Sequence, residues 1–253
     1  MNVTTLKWHL PFYKNYVAAM ARVSALEMVF SLMLESPRFV ASDTAGFNAQ
    51  LHRKRIFLDL MAAFEFEVVV ETGTFIGDTT GYLATTTQAQ IFTCEANRTF
   101  QSLAKSRLNG LPNIHFTMGD SRQFLRGLFA SELSPARFSR PVFFYLDAHW
   151  HNDLPLNDEI QIISENLKEF VILVDDFQVP GEPGYGWDDY GGKKALNLAT
   201  FNGCFQQWKL HPFFPSLPAA QETGGRRGCA VLAPQGRMSD QLRKIQSIRS
   251  AQA

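Results

Sequence analysis

The chain has 253 residues, of which 45% are hydrophobic and 19% are charged, a composition typical of a globular protein with a sizeable core. Its 24 basic and 24 acidic residues cancel, so the sequence gives no overall positive field to attract nucleic acid or an anionic membrane. We therefore expect neither as a partner, and we interpret the short basic runs at 52–55 and 226–227 as solvated surface.

Three scattered cysteines, Cys94, Cys204 and Cys229, are too few for a disulfide framework or a zinc site. The first residues lack an uninterrupted apolar stretch of the kind a signal peptide needs. No run of about 18 apolar residues occurs, so the sequence predicts no membrane span. These features together predict a cytoplasmic protein.

The N-terminal quarter of the chain has helical periodicity. Apolar residues recur every three to four positions across 13–35, and a second such pattern covers 45–64 after a capping signal at 42–44. The sequence therefore predicts a helical N-terminal region over 1–64, and its helices offer a surface for a homodimer.

Short apolar runs alternate with amphipathic stretches from residue 65 onwards. Five such runs predict strands, at 66–71, 90–95, 113–118, 141–147 and 170–176. Four helices are predicted between them, at 78–86, 97–109, 121–131 and 157–167. This alternation indicates an α/β fold with a doubly wound parallel sheet.

A long loop follows the fifth predicted strand. Residues 178–192 are rich in glycine, proline and aromatic residues, which predicts a mobile segment that orders over a ligand. A helix at 193–203 and strands at 206–213 and 228–234 then complete the sheet. We predict a domain over 65–237 and a polar C-terminal tail over 238–253.

The motif "ETGTFIG" marks the end of the first predicted strand. As glycines, Gly73 and Gly77 can adopt backbone angles closed to other residues and let a ligand lie against the main chain. A tight strand-to-helix turn without a ligand is the alternative interpretation.

Acidic residues also end the next three strands. Glu95 ends the second, "GDS" with Asp120 and Ser121 follows the third, and Asp147 ends the fourth, with His149 two positions later. Because the carboxyl ends of strands in this fold converge on one crevice, these side chains predict a shared ligand site.

The motifs "VVETGTFIG", "FTCE", "GDS" and "FFYLDAHW", in this order, resemble those of the class I S-adenosylmethionine-dependent methyltransferases. The resemblance implies a Rossmann-like seven-stranded sheet in the order 3-2-1-4-5-7-6 with the last strand antiparallel. It also implies that Glu95 binds the ribose hydroxyls of S-adenosylmethionine and that Asp120 and Ser121 bind the adenine. The remaining implied cofactor residues are Glu71, Thr72, Gly73, Thr74, Gly77, Thr79, Thr80 and Asp147.

Asp147, Asp175 and Asp176 form a second predicted constellation at the ends of neighbouring strands. Three carboxylates so close repel one another unless a proton or a cation lies between them, and oxygen ligands suit Mg²⁺. The pattern is similar to the macrocin-type O-methyltransferases, which carry such acids around Mg²⁺. Alternatively, Asp176 caps a turn while Asp175 binds backbone amides.

His149 is the predicted general base, acting beside Asp147, because an acceptor hydroxyl must lose its proton as it is methylated. The predicted function is metal-assisted O-methylation of a small polar acceptor such as a sugar or glycosylated metabolite. Two alternatives stay open at this point. One is a methyltransferase-like protein that binds the cofactor without catalysis, and the other is a nucleotide-dependent oxidoreductase on a similar sheet.

Overall fold

The computed structural model describes residues 46–134, 140–149, 153–191 and 194–250, and the helix predicted at 13–35 lies outside them. The described residues form seven α-helices, which are α1 (Leu51–Phe64), α2 (Asp78–Thr86), α3 (Arg98–Arg107), α4 (Ser121–Ala130), α5 (Leu156–Asn166), α6 (Leu198–Gln207) and α7 (Arg237–Leu242). The strands are β1 (Val68–Thr72), β2 (Gln90–Glu95), β3 (Ile114–Met118), β4 (Val142–Leu146), β5 (Phe170–Asp175), β6 (Leu210–Pro215), β7 (Cys229–Pro234) and β8 (Ile248–Ser250).

These strands form one sheet in the order β3-β2-β1-β4-β5-β7-β6-β8. The first five pair in parallel, and β7 runs antiparallel to both β5 and β6. The predicted order of seven strands and the antiparallel direction of β7 are thereby confirmed. An eighth strand, β8, adds to the outer edge of β6 and was not predicted.

Helices cover both faces of the sheet. On one face, α4, α5 and α6 pack against residues such as Val70, Phe144 and Ile172. On the other, α1, α2 and α7 pack against alternate residues of the same strands, such as Val69 and Phe143. Because β1, β4 and β5 are buried on both faces, their sequences are nearly continuous apolar runs rather than alternating patterns.

The two ends of the predicted domain extend further than the sequence indicated. Helix α1 belongs to the sheet assembly, since Ile56, Phe57 and Leu60 are buried in the core of one face. Residues that were predicted to form a polar tail also belong to it, because α7 packs on the same core and β8 joins the sheet. No helix of the described residues is long and apolar enough to cross a membrane.

Candidate cofactor and active site

A cleft of about 500 Å³ opens at the carboxyl ends of β1, β2, β4 and β5. Its size is that of a small-molecule site, for which volumes of about 300–1,000 Å³ are usual. The residues that line it, taken in chain order, are Asn48, Gly73, Phe75, Cys94, Glu95, Ala96, Asn97, Phe100, Gly119, Asp147, Ala148, His149, Asp175, Asp176 and Asp188.

The turn between β1 and α2 brings bare backbone to the cleft. Gly73 has a φ of +88°, and a Cβ there would overlap the carbonyl oxygen of Asp147. The amides of Gly73 and Thr74 both donate to the carbonyl of Cys94, at 3.0 Å each, which fixes the turn against β2. Gly77, with a φ of +86°, begins α2 and does not line the cleft. The Gly73 position therefore requires glycine for both its angle and its close approach.

Glu95 lies at the end of β2 with its carboxylate oriented by two backbone amides. Oε2 accepts from the amide of Phe75 at 2.8 Å, and Oε1 accepts from the amide of Asn97 at 2.7 Å. Burial raises the pKa of Glu95 while these amides oppose the shift. A carboxylate offers about four acceptor positions, so each oxygen keeps a lone pair for a ligand.

Glu71 lies beneath the cleft rather than in its lining. Its side chain is fully buried, and Oε2 accepts from the hydroxyls of Thr80 at 2.5 Å and Thr93 at 2.6 Å. Burial raises the pKa of Glu71 to about 7, although both hydroxyls oppose the shift. Its role in the structure is to join β1, β2 and α2 under the glycine turn.

The predicted cofactor threonines also lie behind the cleft wall. Thr72, Thr74 and Thr80 are buried, and Thr74 is hydrogen bonded to Thr93 at 2.6 Å. Thr79 accepts the amide of Phe47 at 3.1 Å. Thr74 therefore holds the turn and Thr79 the segment before α1, and none of the four threonines lines the cleft.

Asp120 and Ser121 stand at the start of α4, and their side chains are engaged by the protein. Asp120 caps the helix by accepting the amides of Arg122 and Gln123, and it forms an ion pair with the Arg122 guanidinium, which lowers the pKa of Asp120. Ser121 is buried beside Glu159. Neither side chain lines the cleft, whereas the preceding Gly119 does.

Asp147, His149 and Asp176 converge at the other end of the cleft. The imidazole Nε2 lies 3.7 Å from Asp147 Oδ1 and 3.8 Å from Asp176 Oδ2, and one ligand atom from each residue lies within 4.8 Å of the others. His149 is 6% exposed, and its Nε2 has no hydrogen-bond partner among the described residues. Burial opposes protonation of this ring, but the surrounding carboxylates outweigh it and raise the pKa of His149.

The protonation of the two carboxylates differs. Enclosure by the cleft walls raises the pKa of Asp147 to about 7, with a further contribution from Asp176. Burial also acts on Asp176, but the nearby imidazole of His149 and the ion pair with Arg227 outweigh it and lower the pKa of Asp176 to about 2. The three side chains thus offer an imidazole nitrogen and carboxylate oxygens, a donor set that suits a divalent cation.

Asp175 does not belong to this group, in contrast to the sequence-based prediction of a metal ligand. Its carboxylate forms a buried ion pair with Arg53 and accepts the hydroxyl of Tyr145 and the amide of Asp176. The Asp175 side chain is therefore neutralised by a guanidinium from α1, and the residue that lies close to Asp147 and Asp176 is His149.

The two basic runs that we interpreted as solvated surface both contribute to the site. Arg53 donates to the carbonyls of Arg227 and Gly228 as well as to Asp175. Arg227 in turn binds Asp176 through Nε at 2.6 Å and also pairs with Asp188. The sequence carried no local signal for these contacts, since the partners are 39 to 175 positions apart.

The loop after β5 delivers Asp188 to the same end of the cleft. Asp188 Oδ2 lies 3.8 Å from His149 Nε2 and accepts the Tyr190 hydroxyl. The Asp188 amide donates to the Asp176 carbonyl at 3.0 Å, and Gly186 exchanges backbone hydrogen bonds with residues 226 and 228. These bonds hold the loop against the segment that leads into β7.

Asn48 reaches the cleft from a left-handed turn that the sequence did not predict. Phe47, Asn48 and Ala49 have φ values of 56°, 56° and 58°, and the Asn48 carbonyl accepts the Gly225 amide at 2.9 Å. Such angles are unusual for residues other than glycine, although asparagine tolerates them.

Comparisons with known proteins support the fold. No protein-family model and no curated protein matches the chain. Among solved structures, it is similar to the O-methyltransferase TomG from Streptomyces achromogenes, in complex with S-adenosylmethionine, with 19% identity and a TM-score of 0.51 over 84% of this chain and 90% of that one. It is also similar to an O-methyltransferase from Bacillus cereus, in complex with S-adenosylhomocysteine, with 16% identity and a TM-score of 0.50 over 84% and 91% of the two chains.

These likenesses and the strand order together define the fold. The chain has the Rossmann-like fold of the class I S-adenosylmethionine-dependent methyltransferases, with one further strand at the edge of the sheet.

Proposed function

We propose that the protein is an S-adenosylmethionine-dependent methyltransferase that transfers the methyl group to an oxygen of a small polar acceptor, such as a sugar or glycosylated metabolite. The observation that carries this proposal is the paired geometry of Gly73 and Glu95. One provides bare backbone at the end of β1, and the other an oriented carboxylate at the end of β2.

The cofactor's ribose fits beside Glu95, whose two oxygens each keep acceptor capacity for a hydroxyl. Phe75 and Phe100 meet edge to face, 4.6 Å between ring centres, and offer an apolar wall for the adenine. Because the Asp120 carboxylate is engaged by Arg122 and the α4 amides, we assign adenine recognition to this wall and the Gly119 backbone instead.

Methyl transfer then takes place at the Asp147 end of the cleft. The acceptor oxygen attacks the methyl carbon, the carbon–sulfur bond breaks, and its electron pair remains on the sulfur of S-adenosylhomocysteine. The hydroxyl proton passes to a basic group at this end, where Asp147 and His149 stand 3.7 Å apart. The chain contributes mainly orientation, since the displacement needs the two reactants in line.

A divalent cation fits the Asp147, His149 and Asp176 side chains, and we propose that it assists the reaction. When bound, such an ion polarises the acceptor hydroxyl and lowers its pKa. The role of the chain is to hold the carboxylates in place, which Arg227 does for Asp176.

Calorimetry with S-adenosylhomocysteine and with NAD tests the proposal. We expect the former to bind with one site per chain and the latter not to bind. Binding of NAD alone would favour an oxidoreductase. A screen of sugars and phenols with methyl-labelled S-adenosylmethionine would then identify the acceptor, and cofactor binding without transfer to any of them would favour a binding protein.

A further inference from the structure

His149 is a buried imidazole whose Nε2 faces three carboxylates without bonding to any of them. The distances to Asp147, Asp176 and Asp188 are 3.7, 3.8 and 3.8 Å, all beyond hydrogen-bond range. A buried polar atom without a partner costs about 1–3 kcal/mol, so its position calls for an explanation.

These distances are in the range expected between two ligand atoms that bind the same metal ion. Metal–ligand bonds of about 2.1 Å allow two ligand atoms on one ion to be up to about 4.2 Å apart. The three distances from Nε2 fall inside that limit, and the Asp147 and Asp176 oxygens lie within 4.8 Å of each other.

The charges of the cluster point the same way. In the deprotonated form that a metal ion requires, Asp147, Asp175, Asp176 and Asp188 contribute four negative charges, and Arg53 and Arg227 contribute two positive ones. With a neutral imidazole the cluster keeps two negative charges, the number that one divalent cation cancels.

We propose that this cluster is a site for a divalent transition-metal ion rather than Mg²⁺, with His149 as a ligand rather than the catalytic base. Asp147 and Asp176 are the other core ligands, and Asp188 is a fourth that the loop after β5 supplies. This inference deepens the proposed function, on which it rests for the ion's part in catalysis, but ion binding itself is measured without cofactor.

The types of ligand atom explain why we propose a transition metal rather than Mg²⁺. Mg²⁺ prefers oxygen ligands in near-ideal octahedral geometry and keeps several waters, whereas an imidazole nitrogen suits the transition metals. Mn²⁺, Co²⁺ and Zn²⁺ all accept mixed nitrogen and oxygen ligands, and affinity for such a site rises from Mn²⁺ to Co²⁺.

Protein stripped with EDTA and then desalted provides the test. We expect calorimetric titration to give a Kd for Co²⁺ at least tenfold below that for Mg²⁺, with one ion per chain. In the same preparation, pulsed electron paramagnetic resonance of bound Mn²⁺ should show coupling to an imidazole nitrogen, which requires no variant. Equal affinities for Co²⁺ and Mg²⁺ without nitrogen coupling would overturn the proposal in favour of an oxygen-only site, and no binding of any ion would remove the site altogether.

Two variants assign the ligands. His149→Ala should weaken Co²⁺ binding at least tenfold, and Asp188→Asn should weaken it less, because the Asp188 carboxylate is also bound by Tyr190 and Arg227. Asp189→Asn is the matched control, since this neighbouring carboxylate instead binds the Gly191 amide at 2.8 Å, and it should leave Co²⁺ affinity unchanged. An equal loss of Co²⁺ affinity in all three variants would mean that the overall negative charge attracts the ion and that His149 and Asp188 are not ligands.

Binding of S-adenosylhomocysteine in the same samples separates this inference from the proposed function. If the cofactor product binds and no ion does, the inference fails while the proposed function stands. If Co²⁺ binds and S-adenosylhomocysteine does not, the proposed function fails while the ion site stands.

Discussion

Arg53 on α1 and Asp175 at the end of β5 form an ion pair in which both side chains are almost completely buried. The guanidinium also donates to two backbone carbonyls, at residues 227 and 228, so one side chain joins three parts of the chain.

Arg53→Met should lower the free energy of unfolding by about 3–5 kcal/mol, because it leaves the Asp175 charge buried without its cation. Urea denaturation followed by circular dichroism measures the change. Arg55→Met is the control, since Arg55 is 70% exposed and pairs with Asp59 one helical turn away, a contact worth no more than about 0.5 kcal/mol. Similar losses of unfolding free energy in the two variants would contradict a special role for the buried Arg53–Asp175 pair.

Glu95→Ala should weaken binding of S-adenosylhomocysteine at least tenfold while the protein remains folded. Charge-assisted hydrogen bonds of the kind expected with the ribose are worth about 1.5–3 kcal/mol each. Calorimetry measures the affinity, and Glu67→Ala is the control because Glu67, paired with Arg140, precedes the opposite end of β1. Unchanged affinity in Glu95→Ala would remove the ribose assignment.

Gly73→Ala should destabilise the protein by several kcal/mol, because it combines a positive φ with an overlap against the Asp147 carbonyl. Gly127→Ala offers a matched control inside α4, where a Cβ meets nothing within 4 Å. This second change should stabilise the helix by about 0.5–1 kcal/mol. Thermal unfolding should show a loss of stability in Gly73→Ala and a gain in Gly127→Ala. Unchanged stability in Gly73→Ala would show that the turn can rearrange to accept a side chain.

Glu71 should make stability fall as pH rises. Its pKa is raised from 4.5 to about 7 in the folded protein, so the folded state holds a proton that the unfolded state releases. The stabilising contribution is complete below pH 4.5 and is lost as pH rises through 7, a change of about 3 kcal/mol. Glu71→Gln removes the titration, so the difference in unfolding free energy between the two proteins should shift by this amount between about pH 4 and about pH 8. A difference that is constant with pH would show that Glu71 is ionised in the folded protein.

The sheet could be predicted from the sequence because each central strand is buried on both faces. Val68–Thr72 and Phe170–Asp175 are continuous apolar runs ending in polar residues, a pattern that few other structures produce. Strand β8 could not be predicted in the same way, since it has three residues and two of them, Arg249 and Ser250, are polar. Only pairing with β6 defines it.

The sequence predicts which residues of the site lie at the ends of strands, but it does not predict which side chains pair with them. A carboxylate at a strand end faces the cleft unless the protein supplies a closer donor. For Asp120 that donor, Arg122, is two residues away, and for Asp175 it is Arg53, 122 positions earlier. The sequence shows that both acids lie at the rim, whereas the choice between ligand and structural partner depends on the tertiary structure.

Hydrogen bonds join the start of α1, with the residue before it, to the segment before β7 at the cleft. Gln50 bonds with the main chain of Arg227 in both directions, at 2.8 and 2.9 Å, Leu51 donates to Thr223, and Arg53 reaches Gly228. During synthesis, therefore, these contacts cannot form until residue 228 has left the ribosome. The strands β1 to β5 can pair before that point, but the cleft is complete only after the segment before β7 has been synthesised.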